Sequence, residues 1–272
     1  MKFWKMHGLG NDFIVIDNRR GEVGTPSQLA EKLCRRRFSV GADGLILVEK
    51  STVADVKMRI FNADGTEAEM CGNGIRCLVK YCYENGIARK TELTVETLAG
   101  VKKIWLETTN GTVESVKVDM GKPKFNRADI PMRGTGQCVN EKLEVNGEEY
   151  TITCLSVGNP HCVIFVNDID TFPVEQVGPK IEHHTLFPER TNVEFAQLLG
   201  RNEITLRVWE RGCGETFACG TGACAAAAAG KVVGKLGDRI IVHLRGGDLL
   251  IEYVGSLYMT GTAEKVYEGT IL

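Results

Sequence analysis

Two cysteines stand where acid–base chemistry could be done. Cys71 opens the run Cys71-Gly72-Asn73-Gly74 and Cys219 opens Cys219-Gly220-Thr221-Gly222, each just ahead of a helix predicted near 74–85 or 222–233. Glycine lets backbone N–H groups come close to a ligand. The positive end of a helix dipole favours a thiolate there, and the N–H groups of the first turn form a ready site for a carboxylate. One such turn could equally be a structural helix start. Two of them, brought to opposite sides of one ligand, could take a proton from one face of a carbon and return one to the other. That is the requirement for inverting a stereocentre. A disulfide between the two cysteines is the competing reading at this point.

An internal repeat ties the pair together. Aligning MRIFNADGTEAEMCGNGIRC (58–77) with LRVWERGCGETFACGTGACA (206–225) sets Arg59 on Arg207, Phe61 on Trp209, Glu67 on Glu215 and Cys71 on Cys219, at a constant offset of 148 residues. Gly10-Asn11 maps onto Gly158-Asn159 with the same offset, and an apolar run follows each (FIVID, CVIFV). The repeat nominates further candidates. Asn11 corresponds to Asn159, Asn62 to Glu210, and Gly44 to Asn192, while His161 lies two residues beyond Asn159. His161 either serves the site or packs in the core. Glu210 and Arg211 end a predicted strand, where they would either form a buried ion pair or meet an amino-acid ligand.

The elements that must position these residues repeat as well. Each half reads as a strand after Gly-Asn, a helix, a strand at 56–61 or 204–209, a glycine-bearing loop and a second helix, then β-hairpins. Thr25-Pro26-x-Gln28 reads as N-cap, first-turn proline and capping-box partner for a helix over 26–37, with a weaker counterpart at 174–184. Arg35-Arg36-Arg37 then reads as a solvated helix end. The alanine run 225–229 suits a closely packed buried helix. Asn110-Gly111, Gly246-Gly247 and Gly255 mark turns. The expected fold is α/β (α+β): two pseudo-symmetric halves, each a curled, mainly antiparallel sheet or barrel around a central helix, with the active site in the cleft between them. Residues 1–118 form the first half, completed by a strand returning within 262–272, and 119–261 form the second, with the crossover near 117–125.

Composition excludes several function classes. With 33 Lys and Arg against 35 Asp and Glu, a net charge of -2 carries no signature of a nucleic-acid or membrane-surface binder. No stretch approaches the length of a membrane span, and the N-terminus has no apolar leader core, so a cytoplasmic location is expected. The ten cysteines include no C-x-x-C pair, and no histidine lies near either glycine turn, so neither a structural zinc nor another metal site is expected. Gly220-Thr221-Gly222 and Gly8-Leu9-Gly10 both lack the third glycine of a dinucleotide fingerprint. No cofactor is implied.

The motifs HGLGNDFIVID, FNADGTEAEMCGNGIRC, SVGNPHCV, RTNVEF and ERGCGETFACGTGAC, in that order, resemble those of the diaminopimelate epimerase family and cover essentially the whole chain. The resemblance implies a cofactor-independent isomerase that interconverts LL- and meso-diaminopimelate in lysine and peptidoglycan synthesis. It implies Cys71 and Cys219 as the two acid/base residues, with His161 and Glu210 tuning the thiols. Substrate contacts would be Asn11, Asn62, Asn159, Asn192, Glu210 and Arg211, with Gly72, Asn73, Gly220 and Thr221 cradling the reacting carboxylate. It further implies closure over the substrate and a homodimer with Tyr267 at its interface. Some members carry Gln where this chain has Gly44. A proline racemase or hydroxyproline epimerase shares the two-cysteine plan, and a binding or redox protein on the same fold would use the cysteines as a switch.

Overall fold

Along 56–62 every second residue is inward: Val56, Met58 and Ile60 are buried while Lys57 and Arg59 reach outward. This period of two makes a strand with one covered face. Residues 44–48, by contrast, are buried without interruption. Such a run is the mark of a central strand covered on both faces.

The computed structural model describes residues 1–271. In chain order its elements begin with β1 (Lys2–Gly8), β2 (Asn11–Asp17), α1 (Pro26–Cys34), β3 (Gly44–Glu49) and β4 (Val56–Asn62). They continue with β5 (Glu67–Ala68), α2 (Gly72–Glu84), β6 (Glu92–Thr97), β7 (Gly100–Thr109) and β8 (Thr112–Gly121). A 3-10 turn at Arg127–Asp129 precedes β9 (Cys138–Val145), β10 (Glu148–Ser156), β11 (Pro160–Val166), α3 (Val174–Glu182) and β12 (Asn192–Gly200). Last come β13 (Glu203–Glu210), β14 (Gly214–Thr216), α4 (Gly220–Val232), β15 (Arg239–Leu244), β16 (Gly247–Val254), β17 (Ser256–Gly261) and β18 (Glu264–Thr270). Two compact units result: Met1–Asp119 together with the chain from Thr260 on, and Met120–Met259.

The mixed α/β fold expected from the sequence is the one observed, and the repeat holds down to strand register. β2 and β3 are parallel with Phe13 opposite Gly44, and β11 and β12 are parallel with His161 opposite Asn192. Leu45 faces Phe61 as Val193 faces Trp209, and Phe61 faces Glu67 as Trp209 faces Glu215. Within each unit a helix bridges the parallel strands, α1 between β2 and β3, α3 between β11 and β12. The long helix of each unit lies on the opposite face: α2 packs on β1 to β4, and α4 on β10 to β13 and on β15 and β16. Beyond these helices the register slips by one, Val56 pairing with Val95 but Ile204 with Val242. The connection after α4 is one residue shorter than that after α2.

The bidentate pairs Arg59–Glu67 and Arg207–Glu215 occupy equivalent places, each with both contacts between 2.7 and 2.9 Å. Ala225 to Ala229 are all fully buried, as a helix pressed against a sheet requires. β18 lies antiparallel to β1, with Tyr267 opposite Lys5. Asn110-Gly111, both at positive φ, joins β7 to β8 in a tight turn whose twist matches the strands. Asn146-Gly147, between β9 and β10, repeats it.

Several local expectations need correction. α1 ends at Cys34 rather than at 37, because Arg35 turns to an extended conformation. Thr25 sits at its N-cap without a side-chain cap bond, so the capping box is not formed. Arg36 is not merely solvated: it binds Asp12 and Asp43. The crossover expected near 117–125 does fall there, between Asp119 and Met120, but inside β8 rather than in a loop. No helix among the described residues is long and apolar enough to cross a membrane.

Candidate active site

Each cysteine is itself a helix N-cap. Cys71 precedes α2 in extended conformation (φ -138°, ψ 122°) and Cys219 precedes α4 likewise (φ -124°, ψ 110°). An N-cap side chain accepts a bond from an N–H of the first turn that has no carbonyl within the helix. Here the acceptor is sulfur. Gly74 donates its N–H to Cys71 Sγ and Gly222 to Cys219 Sγ, both at 3.4 Å. Space at these third positions is tight, more so in the second unit. A Cβ on Gly74 would stand 3.0 Å from Ile60 Cδ1, and one on Gly222 would stand 2.9 Å from Glu194 Oε1.

In the first unit Cys71, half-buried, donates its thiol hydrogen to Asn11 Oδ1 at 3.7 Å. Asn73 donates to the same oxygen at 3.2 Å, and the wholly buried Arg76 donates to Asn73 Oδ1 at 3.0 Å. Asn11 in turn donates to Asp43 at 2.9 Å. Asp43 and Asp12 share Arg36, and Lys5 adds an ion pair to Asp12 at 2.6 Å. Burial pushes the Asp12 carboxyl up, but Arg36 and Lys5 outweigh it and hold it at about 2. The amide of Asn11 is thus fixed at both ends by neighbouring polar groups. Asn62, exposed at the end of β4, donates to Thr66 Oγ1.

The second unit surrounds its cysteine with carboxylates. Cys219 is 6% exposed, and the carboxylates of Glu210 and Glu194 bear on its thiol. Burial pushes this thiol far above its ordinary range, and the charges of Glu210 and Glu194 push it the same way. Glu210 accepts from Thr216, and burial raises its carboxyl above the ordinary glutamate range despite that bond. Thr221 Oγ1 lies 3.5 Å from Cys219 Sγ and accepts from Asn159 Nδ2 at 3.3 Å. Asn159 Oδ1 meets His161 Nε2 at 2.8 Å, and His161 Nδ1 meets Glu194 Oε1 at 2.7 Å. His161 is fully buried and joined to Asn159, so core burial and attachment to the site are both true of it.

Asn192, buried at the start of β12, donates to Pro160 O and accepts from Arg211 N. Arg211 itself is exposed and reaches Glu189 O, so the buried Glu210–Arg211 pair considered from sequence does not form. Gly72 and Asn73 open α2, and Gly220 and Thr221 open α4, so all four sit in the first turns beside the two sulfurs. Tyr267 is 44% exposed on β18. Sequence reasoning overlooked Glu194, Asp43 and Thr216. Only Glu194 carried a signal, an acidic residue amid the apolar strand VEFA. Among the described residues no group of three or more His, Cys, Asp or Glu side chains is arranged to hold a metal ion.

Solved structures of other proteins share this fold. A phenazine biosynthesis protein of the PhzF family from Bacillus anthracis superposes with a TM-score of 0.73 over 100% of this chain and 99% of its own, at 22% identity. A probable proline racemase from Agrobacterium radiobacter K84 does so with the same score over 100% and 92%, at 15% identity. Likeness at these identities is one of fold. Sequence carries the assignment further. The diaminopimelate epimerase family profile matches residues 3–126 and 153–266. The chain is 56% identical to the diaminopimelate epimerase of Moorella thermoacetica over 99% of its length and 98% of that protein, and 46% identical to that of Methanococcus maripaludis strain S2 over 100% and 99%. The chain belongs to the diaminopimelate epimerase family.

Proposed function

We propose that this chain is a cofactor-independent isomerase that interconverts LL- and meso-diaminopimelate, with Cys71 and Cys219 as the two acid/base residues. The observation that carries the reading is the repeated helix start, in which each thiol is an N-cap receiving a backbone N–H at the same 3.4 Å.

The proton inventory differs between the two thiols. Cys219 rests as a thiol, since burial and two carboxylates disfavour its anion. Glu210, whose charge bears on this thiol, accepts the proton as the thiolate forms. The thiolate is then held by Gly222 N–H and the positive end of α4. A thiolate of raised pKa is a stronger base than one in water, which suits the weakly acidic α-hydrogen of an amino acid. Cys71, donating to the neutral amide of Asn11, is set to deliver a hydrogen to the other face of the carbon, and the roles exchange in the reverse direction. The first turns at Gly72, Asn73, Gly220 and Thr221 bind the reacting carboxylate and stabilise charge developing on it. Asn62, Asn192 and Arg211 serve the polar distal end of the substrate, and His161 tunes the second thiol. Closure over the substrate excludes water. The enzyme works in the cytoplasm, supplying lysine and peptidoglycan synthesis, as a homodimer with exposed Tyr267 at the interface.

The test is to incubate the protein with LL- or meso-diaminopimelate in heavy water without added cofactor. Deuterium should enter the α-carbon, and Cys71→Ala and Cys219→Ala should each abolish epimerisation. Full epimerisation by both variants refutes the two-cysteine mechanism. Turnover of proline or hydroxyproline in place of diaminopimelate would move the chain to that neighbouring reaction.

A further inference from the structure

Glu194 is fully buried, and its Oε2 has no hydrogen-bond partner among the described residues. Its partner His161 is equally buried. A carboxyl taken out of water with half its bonds unmet costs stability unless something else requires it. The fold does not require it. At the same places in the first unit stand Ile46 and Phe13, both buried, in the same strand registers. An apolar pair fills that position in one half and a polar pair in the other.

The donors and acceptors along the chain from Glu194 have a direction. Asn159 turns its carbonyl Oδ1 to His161 Nε2, so Nε2 must carry the hydrogen. Asn159 Nδ2 then donates to Thr221 Oγ1, which leaves the threonine hydrogen for Cys219 Sγ. His161 keeps Nε2–H only while Glu194 and Nδ1 share one further proton between them, on either atom. Burial raises the Glu194 carboxyl, which retains that proton in the pair. Without it the ring would carry its hydrogen at Nδ1 and accept at Nε2. The amide would turn over, and Thr221 would accept from the thiol instead of donating to it.

We propose that Glu194 is a positioning residue of the epimerase reaction, which by fixing the His161 tautomer orients the chain His161–Asn159–Thr221 so that the Thr221 hydroxyl donates to Cys219 Sγ. This rests on Cys219 being an acid/base group of the proposed reaction. The charged or titratable groups facing Cys219 are Glu210 from β13 and Glu194 from β12, with His161 of β11 behind Glu194. Glu194 therefore has two opposing influences on the thiol. Its charge disfavours the thiolate, whereas the chain it orients favours it.

Alkylation of the intact protein by iodoacetamide, read at Cys219 by fragment-ion mass spectrometry across pH, separates the two. Glu194→Leu should move the alkylation midpoint to a pH higher by about 1 and lower kcat about tenfold with KM little changed, the loss of one hydrogen bond to a charged group. Glu194→Gln, whose amide can still donate to Nδ1, should stay within about threefold of the parent. Thr221→Val, at the near end of the chain, should reproduce the rise in midpoint, and Thr221→Ser should not. A lower midpoint in both Glu194 variants would mean that charge alone matters and would overturn the proposal. So would an unmoved midpoint in Thr221→Val, or a Glu194→Gln as impaired as Glu194→Leu. Because alkylation needs no turnover, a parent protein inactive on diaminopimelate defeats the proposed function, while an active parent with unmoved variants defeats only this role.

Discussion

Replacing the third-position glycine of each helix start by alanine applies one perturbation to two equivalent places with different walls. In α4 the new Cβ would lie 2.9 Å from Glu194 Oε1 and 3.3 Å from both Cys219 Sγ and Val208 Cγ2. Relief needs a carbon–oxygen separation near 3.4 Å, yet Glu194 is clamped by His161 at 2.7 Å and is enclosed on all sides. Overpacking of this kind costs about 1–3 kcal/mol. Alanine's better helix propensity returns at most about 1 kcal/mol. The net of about 1–2 kcal/mol lowers the Tm of Gly222→Ala by about 2–8 °C.

In α2 the corresponding Cβ would meet Ile60 Cδ1 at 3.0 Å and Ile46 Cδ1 at 3.1 Å, the rotatable ends of two aliphatic side chains. There the strain and the propensity gain nearly cancel, and Gly74→Ala should melt within about 2 °C of the parent. Activity should divide the same way. Gly222→Ala displaces the N–H that holds Cys219 Sγ and should lose about tenfold or more in kcat, given that about 1 Å of misplacement can cost about a hundredfold. Gly74→Ala should stay within about threefold, since a few tenths of an ångström are absorbed by the isoleucines. Thermal melts and coupled epimerase assays on the two variants decide it. Equal losses in both, or full activity in Gly222→Ala, would refute the idea that the Glu194 wall is rigid.

Two further outcomes follow from the charges. Burial raises the Glu210 carboxyl, so the folded protein holds that proton more tightly than the unfolded chain. The group favours folding below about 4.5 and opposes it as pH rises through the raised value, by about 1.4 kcal/mol for every tenfold weakening of the acid. Glu210→Gln should therefore raise the Tm at about pH 8 but not at about pH 4, while lowering kcat at least about a hundredfold. Of the two symmetric ion pairs, Arg207–Glu215 is the more enclosed, with side chains 12% and 6% exposed against 29% and 26% for Arg59–Glu67. Chemical denaturation should find Arg207→Met costing about 2–4 kcal/mol, moderated by Arg245 beside Glu215, and Arg59→Met about 1 kcal/mol or less; a reversed order would contradict this.

Residue order alone determined the repeat, and with it the equivalence of Cys71 and Cys219, the glycine-opened helices after them and the strands before them. These are local matters: a period of two or 3.6, a glycine at a fixed spacing and an apolar run between turns each act within one element. The helices start two residues earlier than expected, at Gly72 and Gly220, because the cysteines themselves serve as caps. The capping box at Thr25 does not form: the residue adopts φ -131°, ψ 76°, and its side chain makes no cap bond.

Tertiary structure alone decided which polar groups meet. Nothing in the spacing of Asp12, Arg36 and Asp43 announces that they converge beneath Asn11, for that depends on β2 and β3 lying parallel. Glu194 stood in plain view within RTNVEF, but burial next to His161, a residue 33 positions away, is a property of strand register. The two thiols differ as well. Their turns are alike and equivalent strands surround them, yet Cys71 bonds the Asn11 amide while Glu210, standing where the first unit has Asn62, bears on Cys219.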